Sequence, residues 1–142
     1  MNSDQDMTIA GAPRLEILGS ALAIGAKLVS EGRLSEGVVR EDPGMYALCL
    51  AMEQGFDVRE LSPGSALTVG RAESPSPGIW SVKDKRLSKA HFRVTVAEGG
   101  DAMLEDLDSL NGTFVNDCRV TDCRALLRGD VLRAGHSVWV LL

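Results

Sequence analysis

The sequence predicts an all-β domain, a sandwich of two twisted, mostly antiparallel sheets, preceded by an N-terminal helical segment. Three observations predict it. The hydrophobic period changes from roughly 3.6 to 2 near Tyr46. Beyond that point the chain breaks into short runs separated by turn-forming stretches. Fifteen glycines in 142 residues, with Gly99-Gly100 paired, suit many tight reversals. An apolar content of 44% is that of a globular protein, and the length suits one ordinary domain with an appendage.

Residues 1–12 read as a flexible acidic tail. Their start, MNSDQDMTIAG, is acidic and polar where a secretory signal would be basic and then apolar. Residues 13–31 read as an amphipathic, apolar helix. Leu15, Leu18 and Leu22 form one stripe, and Ile17, Ala21, Ile24 and Leu28 the next. Pro13 suits a first helical position and Gly32 a stop. The apolar stretch is shorter than about 18 residues and carries Glu16 and Lys27, so it does not read as a membrane span. Two apolar stripes need a cover: the body of the protein, a second copy giving a dimer, or a partner through residues 13–29. Residues 32–44, within SEGRLSEGVVREDPG, read as a linker.

Residues 45–142 carry the β domain. YALCLAM, FDVREL, SALTVG, GIWSV, AHFRVTVA, AMLEDL, TFVN, VLRA and SVWVLL are short, often alternating runs. In AHFRVTV, Ala90, Phe92, Val94 and Val96 face one way, and His91, Arg93 and Thr95 the other. Asn111-Gly112 is the strongest hairpin signal in the chain, because both residues tolerate positive φ.

A net charge of −5 argues against a general nucleic-acid binder. The average hides an asymmetry. Residues 71–93 hold six basic side chains (Arg71, Lys83, Lys85, Arg86, Lys89, Arg93) against Glu73 and Asp84, a local +4. A cationic patch on an acidic protein suits a small anionic ligand, although a bare charge run is more often a solvated loop. Cys49, Cys118 and Cys123 form neither a disulfide framework nor a metal-ligand pattern. They read as reduced thiols of a cytoplasmic protein, with no metal and no cofactor.

In a sandwich, function sits on loops at one end. Three loop segments are polar in ways packing does not demand: VGRAE, RLSKAH and DSLNGTFVN. In order and spacing, LTVGR, LSKAHFRV, LEDLDSLNGTFVND and LLRGDVLRAG resemble the forkhead-associated (FHA) domain over roughly residues 45–142. Each motif is weak alone; together they are specific. The resemblance implies an FHA-like sandwich that binds phosphothreonine-containing segments of other proteins, downstream of a Ser/Thr kinase. It also implies that Asn111 holds the ligand backbone. Gly70, His91, Gly112, Thr113 and Asn116 would support the site, His91 by tying loops together and Asn116 by bracing the chain after the turn.

The residue chemistry agrees. A phosphothreonine carries about −1.5 to −2 charge and three acceptor oxygens. Arg71 can donate two parallel N–H bonds, Ser88 its hydroxyl or backbone N–H, and Lys89 a second positive charge. A cation about 4 Å from a unit charge gains roughly 4 kcal/mol at an effective dielectric near 20, before desolvation. Asn111, both donor and acceptor, suits a peptide main chain. Two departures stand out. Lys89 replaces a frequent arginine and loses its fork, and Leu110 replaces a hydroxyl residue, removing one donor. The ESPSPG stretch, residues 73–78, leaves preference for the flanking residues open, while Lys85 and Arg86 favour acidic or polar ones.

Catalysis is not expected. Ser88 and His91 have no orienting acid, and no glycine-rich phosphate loop is present. The rival reading is a phosphate-independent scaffold or oligomerisation module, as in FHA-like components of bacterial secretion apparatus. Retention of Arg71, Ser88 and Asn111 discriminates against it. A third reading is self-recognition, in which Thr8 of the acidic tail, once phosphorylated, folds back onto the site.

Overall fold

The computed structural model describes residue 23, residues 25–71 and residues 77–142. The acidic tail, most of the expected helix and most of ESPSPG lie outside the described residues.

Among the described residues eleven strands form two sheets. The first has six: β1 (Tyr46–Met52), β2 (Gly55–Leu61), β7 (Thr113–Val115), β8 (Cys118–Arg119), β10 (Val131–Ala134) and β11 (Ser137–Leu141), in the order β2-β1-β11-β10-β7-β8. The second has β3 (Ala66–Gly70), β4 (Ile79–Ser81), β5 (Phe92–Val96), β6 (Ala102–Asp106) and β9 (Cys123–Leu126), in the order β4-β3-β5-β6-β9. Among the described strand pairs only β3–β4 is parallel. Alternating side chains fill the space between the sheets. Phe92, Val94 and Val96 of β5 meet Trp139, Leu48 and Leu132 from the opposite sheet in one core. Phe92 and Trp139 sit edge to face at 5.1 Å, the favoured aromatic geometry.

Three expectations about strands and turns are corrected. First, β8 and β9 were not anticipated. They are short and largely exposed, so their sequence carries no alternating apolar signal. Second, Asn111-Gly112 is not a hairpin. Residues 107–112 cross from β6 in one sheet to β7 in the other, which do not pair with each other. A two-residue hairpin lies one step later, at Asn116-Asp117, where β7 folds onto β8 with Val115 opposite Cys118. Both turn residues have positive φ, 48° and 68°, as a primed turn requires. Third, alternation fails before β5: Ala90 is exposed and His91 fully buried, because the strand begins only at Phe92.

Residues 32–44, expected as a linker, are instead packed. They carry a one-turn helix, Glu36–Val39, after helical residues 25–30. Leu28, Leu34 and Val38 are buried with Ala47, Cys49, Val140 and Leu142 in a second core on the outer face of β1 and β11. This explains why four successive residues of β1, Ala47 to Leu50, are buried: each face of the strand has a cover. Arg128 fastens the segment, donating to the carbonyls of Met45 (2.8 Å) and Asp42 (2.9 Å) while its guanidinium lies over the Tyr46 ring. Among the described residues no helix is long and apolar enough to cross a membrane.

Candidate functional site

The site residues meet at one end of the sandwich, where β3 ends and the 82–91 and 107–112 segments run. Gly70, the last residue of β3, makes the approach possible. A Cβ there would collide with the Lys89 carbonyl, so only glycine lets the 87–89 segment lie against β3. The backbone then closes the contact: Arg71 N–H donates to the Ser88 carbonyl and His91 N–H to that of Val69, each at 2.9 Å.

Arg71 is held by one end. Its Nε donates to the Leu87 carbonyl at 2.9 Å, and Leu87 is itself buried. The terminal nitrogens of Arg71 make no hydrogen bond or ion pair with another described residue, so the fork is oriented while its outer edge stays open. Ser88 is fixed differently from expectation. Its backbone N–H is taken by His91 Nδ1 at 3.0 Å and is not available to a ligand. Its hydroxyl accepts the Leu110 N–H at 3.0 Å, which leaves the hydroxyl hydrogen to donate outward. Lys89 is exposed beside it.

His91 links the loops from inside, at 0% exposure. Because Nδ1 accepts from Ser88, Nε2 carries the proton and donates to the Gly112 carbonyl at 2.9 Å. Asn111 closes the other side, its Nδ2 donating to the Arg86 carbonyl at 2.9 Å. That bond leaves Oδ1 and one Nδ2 hydrogen for a ligand.

Beneath lies a carboxylate network that sequence reasoning missed. Asp106, at the end of β6, accepts from Ser109 Oγ (2.6 Å), Ser109 N–H (3.1 Å) and Thr113 Oγ1 (2.6 Å). The Ser109 hydroxyl in turn accepts the Gly112 N–H at 3.0 Å. Burial by itself would raise the Asp106 pKa. The bonds from Ser109 and Thr113, with the nearby His91 ring, outweigh it and hold the carboxyl below its ordinary value. The Asp-x-x-Ser spacing of a side-chain-capped turn was the available signal.

Asp84 does the same for the 82–88 loop, accepting from Arg86 N–H (2.9 Å), His136 N–H (2.8 Å) and Ser137 Oγ (2.7 Å). Its pKa is also lowered, these bonds outweighing the opposing effect of burial. No local pattern announces it, since two partners lie more than fifty residues away. Asn116 braces the base of β7. Its Nδ2 donates to Asp130 Oδ1 (2.9 Å) and its Oδ1 accepts the Val131 N–H (3.0 Å). Among the described residues no group of three or more His, Cys, Asp or Glu side chains is placed to hold a metal ion.

The arrangement can hold an anion of phosphate size beside an extended main chain. Neither the buried Asp84 nor the half-buried Asp106 is ion-paired with Arg71 or Lys89, since both carboxylates take hydroxyl and amide donors. Comparison with known proteins fits this fold. The family model for the FHA domain matches residues 67–135. An FHA domain studied for phosphothreonine-dependent interactions is 31% identical, with a TM-score of 0.59 over 68% of this chain and 94% of that one. The FhaA FHA domain, in complex with the intracellular domain of Rv3910, is also 31% identical, with a TM-score of 0.59 over 68% of this chain and 99% of that one. The N-terminal FHA domain of S. cerevisiae Rad53p, bound to a phosphothreonine peptide, shares the fold at 24% identity, with a TM-score of 0.58 over 69% of this chain and 92% of that one. No curated protein matches the chain. Two relatives above 30% identity, each covered almost end to end, and a matching family model lead to one assignment: the chain belongs to the FHA domain family.

Proposed function

We infer that this chain is a phosphothreonine-dependent protein-binding module serving Ser/Thr kinase signalling or regulated assembly. Arg71, Ser88 and Lys89 contact the phosphate, and Asn111 holds the ligand main chain. The observation that carries this reading is the way the donors are fixed. Arg71 is anchored through Nε with its terminal nitrogens open, and Ser88 is anchored through its oxygen lone pair with its hydrogen open. Donors already oriented before the ligand arrives lose little freedom on binding, which is where affinity for a small charged group comes from. Relatives that bind phosphothreonine peptides or partner domains support the same reading.

The ligand stays chemically unchanged in this reading: the site offers donors and positive charge, and no nucleophile is paired with a base. Ser88 and His91 touch through the Ser88 N–H, not through its hydroxyl.

Titration of a degenerate phosphothreonine peptide library, with Arg71→Ala as control, tests it. Micromolar-order binding, roughly −8 kcal/mol, is expected for phosphorylated peptides and little for unphosphorylated ones. Equal binding by the Arg71 variant overturns the phosphate role. Absence of any phosphopeptide binding overturns the module and favours a phosphate-independent scaffold.

A further inference from the structure

Arg119, on β8, has no part in the site as read from the sequence, yet it sits against it. A Cβ at Gly112 would lie 2.9 Å from Arg119 Nε and 3.1 Å from its Nη2, so the guanidinium occupies the space that a side chain at 112 would need. Gly112 also has φ +87°, which independently restricts that position to glycine. The guanidinium is thereby laid along the backbone of the residue that follows Asn111.

Arg119 is exposed and makes no hydrogen bond or ion pair with another described residue. Asp117, two positions away, is turned instead to Arg133 at 3.7 Å. The cations of this end therefore form two groups. Arg71, Lys85, Arg86 and Lys89 belong to the chain on the Ser88 side of Asn111, whose Nδ2 donates to the Arg86 carbonyl, and Arg119 lies on the Gly112 side. Leu110, next to Asn111 on the Ser88 side, is uncharged and 85% exposed.

We propose that Arg119 is a specificity-determining residue that receives a carboxylate side chain of the ligand, an Asp or Glu within about three residues of the phosphothreonine. The assignment rests on the phosphothreonine reading above. A chain gripped at Asn111 in extended form advances about 3.3 Å per residue. A guanidinium adjacent to Gly112 is thus within reach of a flanking side chain. Arginine suits the task, because its planar fork matches a carboxylate with two parallel bonds.

The test uses alanine-based peptides with one central phosphothreonine and a single Asp or a single Lys moved through the flanking positions, titrated against the wild-type chain, Arg119→Ala and Arg119→Glu. The wild type should prefer Asp at one position by roughly five- to twentyfold over the all-alanine parent, the scale of a partly desolvated charge pair. Arg119→Ala should erase that preference while binding the parent within about twofold. Arg119→Glu should transfer the preference to Lys at the same position, which a merely structural role could not produce. An acidic preference that survives Arg119→Ala overturns the assignment, as does an equal loss on every peptide. A wild type that binds the parent without acidic preference overturns this assignment alone. A folded wild type that binds none of the phosphopeptides overturns the phosphothreonine reading and takes this assignment with it.

Discussion

The hydroxyl oxygen of Ser88 accepts the backbone N–H of Leu110 at 3.0 Å, so one side-chain atom joins the 82–91 loop to the segment that crosses between the sheets. The same hydroxyl has its hydrogen free for a ligand. Ser88→Ala removes both functions at once. A hydrogen bond to a charged group contributes about 2 kcal/mol, so phosphopeptide affinity should fall roughly thirtyfold. Stability should fall by less than about 1 kcal/mol, because water can reach the exposed Leu110 N–H. Calorimetric titration alongside urea unfolding separates the two effects.

His91 makes the complementary link inside. Its ring satisfies the Ser88 N–H and the Gly112 carbonyl with two different nitrogens, and no other side chain of its size can donate and accept in those directions. His91→Phe keeps the volume and strands both backbone groups. A loss of about 2–5 kcal/mol is expected in urea unfolding, together with weakened peptide binding. An unchanged unfolding midpoint would refute the bridging role.

Acid should loosen this end of the sandwich. Asp84 and Asp106 have folded pKa values below their unfolded ones. Between the two values the unfolded chain binds more protons, so stability rises with pH in that window. The contribution is complete above the unfolded value, near 3.9, and is lost as pH falls through the folded value. Urea midpoints measured downward from pH 6 should hold steady and then drop below about pH 4. Asp106→Asn should be less stable at neutral pH by about 1–3 kcal/mol, with a shallower acid slope.

Thiol chemistry reports the second core. Burial pushes the Cys49 pKa up to about 12, whereas Cys118 and Cys123 are exposed, and all three are free thiols. At pH 8 a thiol reagent should modify Cys118 and Cys123 rapidly and Cys49 only when the chain opens. Mass spectrometry of timed samples assigns each site.

Removing the cover should release Cys49. Leu28 and Val38 are buried against Ala47, Val140 and Leu142, outside the residues that the family model matches. Leu28→Ala should cost about 2–5 kcal/mol and speed modification of Cys49. If stability and Cys49 reactivity both match the wild type, the 25–39 segment contributes nothing to the folded unit.

Nine of the eleven strands were legible because each presents a run of apolar residues, often at a period of two, bounded by glycine, proline or an acidic turn. The same logic hid β8 and β9, whose side chains face solvent, and misplaced the hairpin at Asn111-Gly112. That dipeptide permits a primed turn, but β6 and β7 belong to different sheets and leave it nothing to join. Asn116-Asp117 is a weaker signal, and it makes the turn because β7 and β8 pair across it. Leu34 and Val38, set among charged residues, read as linker until a sheet face was there to receive them.

The amino-acid sequence alone determined the sandwich and the order of Arg71, Ser88, Lys89 and Asn111 along the chain, since periodicity and local turn chemistry are properties of neighbouring residues. Tertiary structure decided which atoms of those residues remain open. Ser88 loses its N–H to His91, Asn111 lends one donor to Arg86, and Arg119 comes to rest on Gly112 from the next strand pair. The first is a local bond, fixed because His91 is buried with its other nitrogen on Gly112; the other two depend on segments that folding brings together.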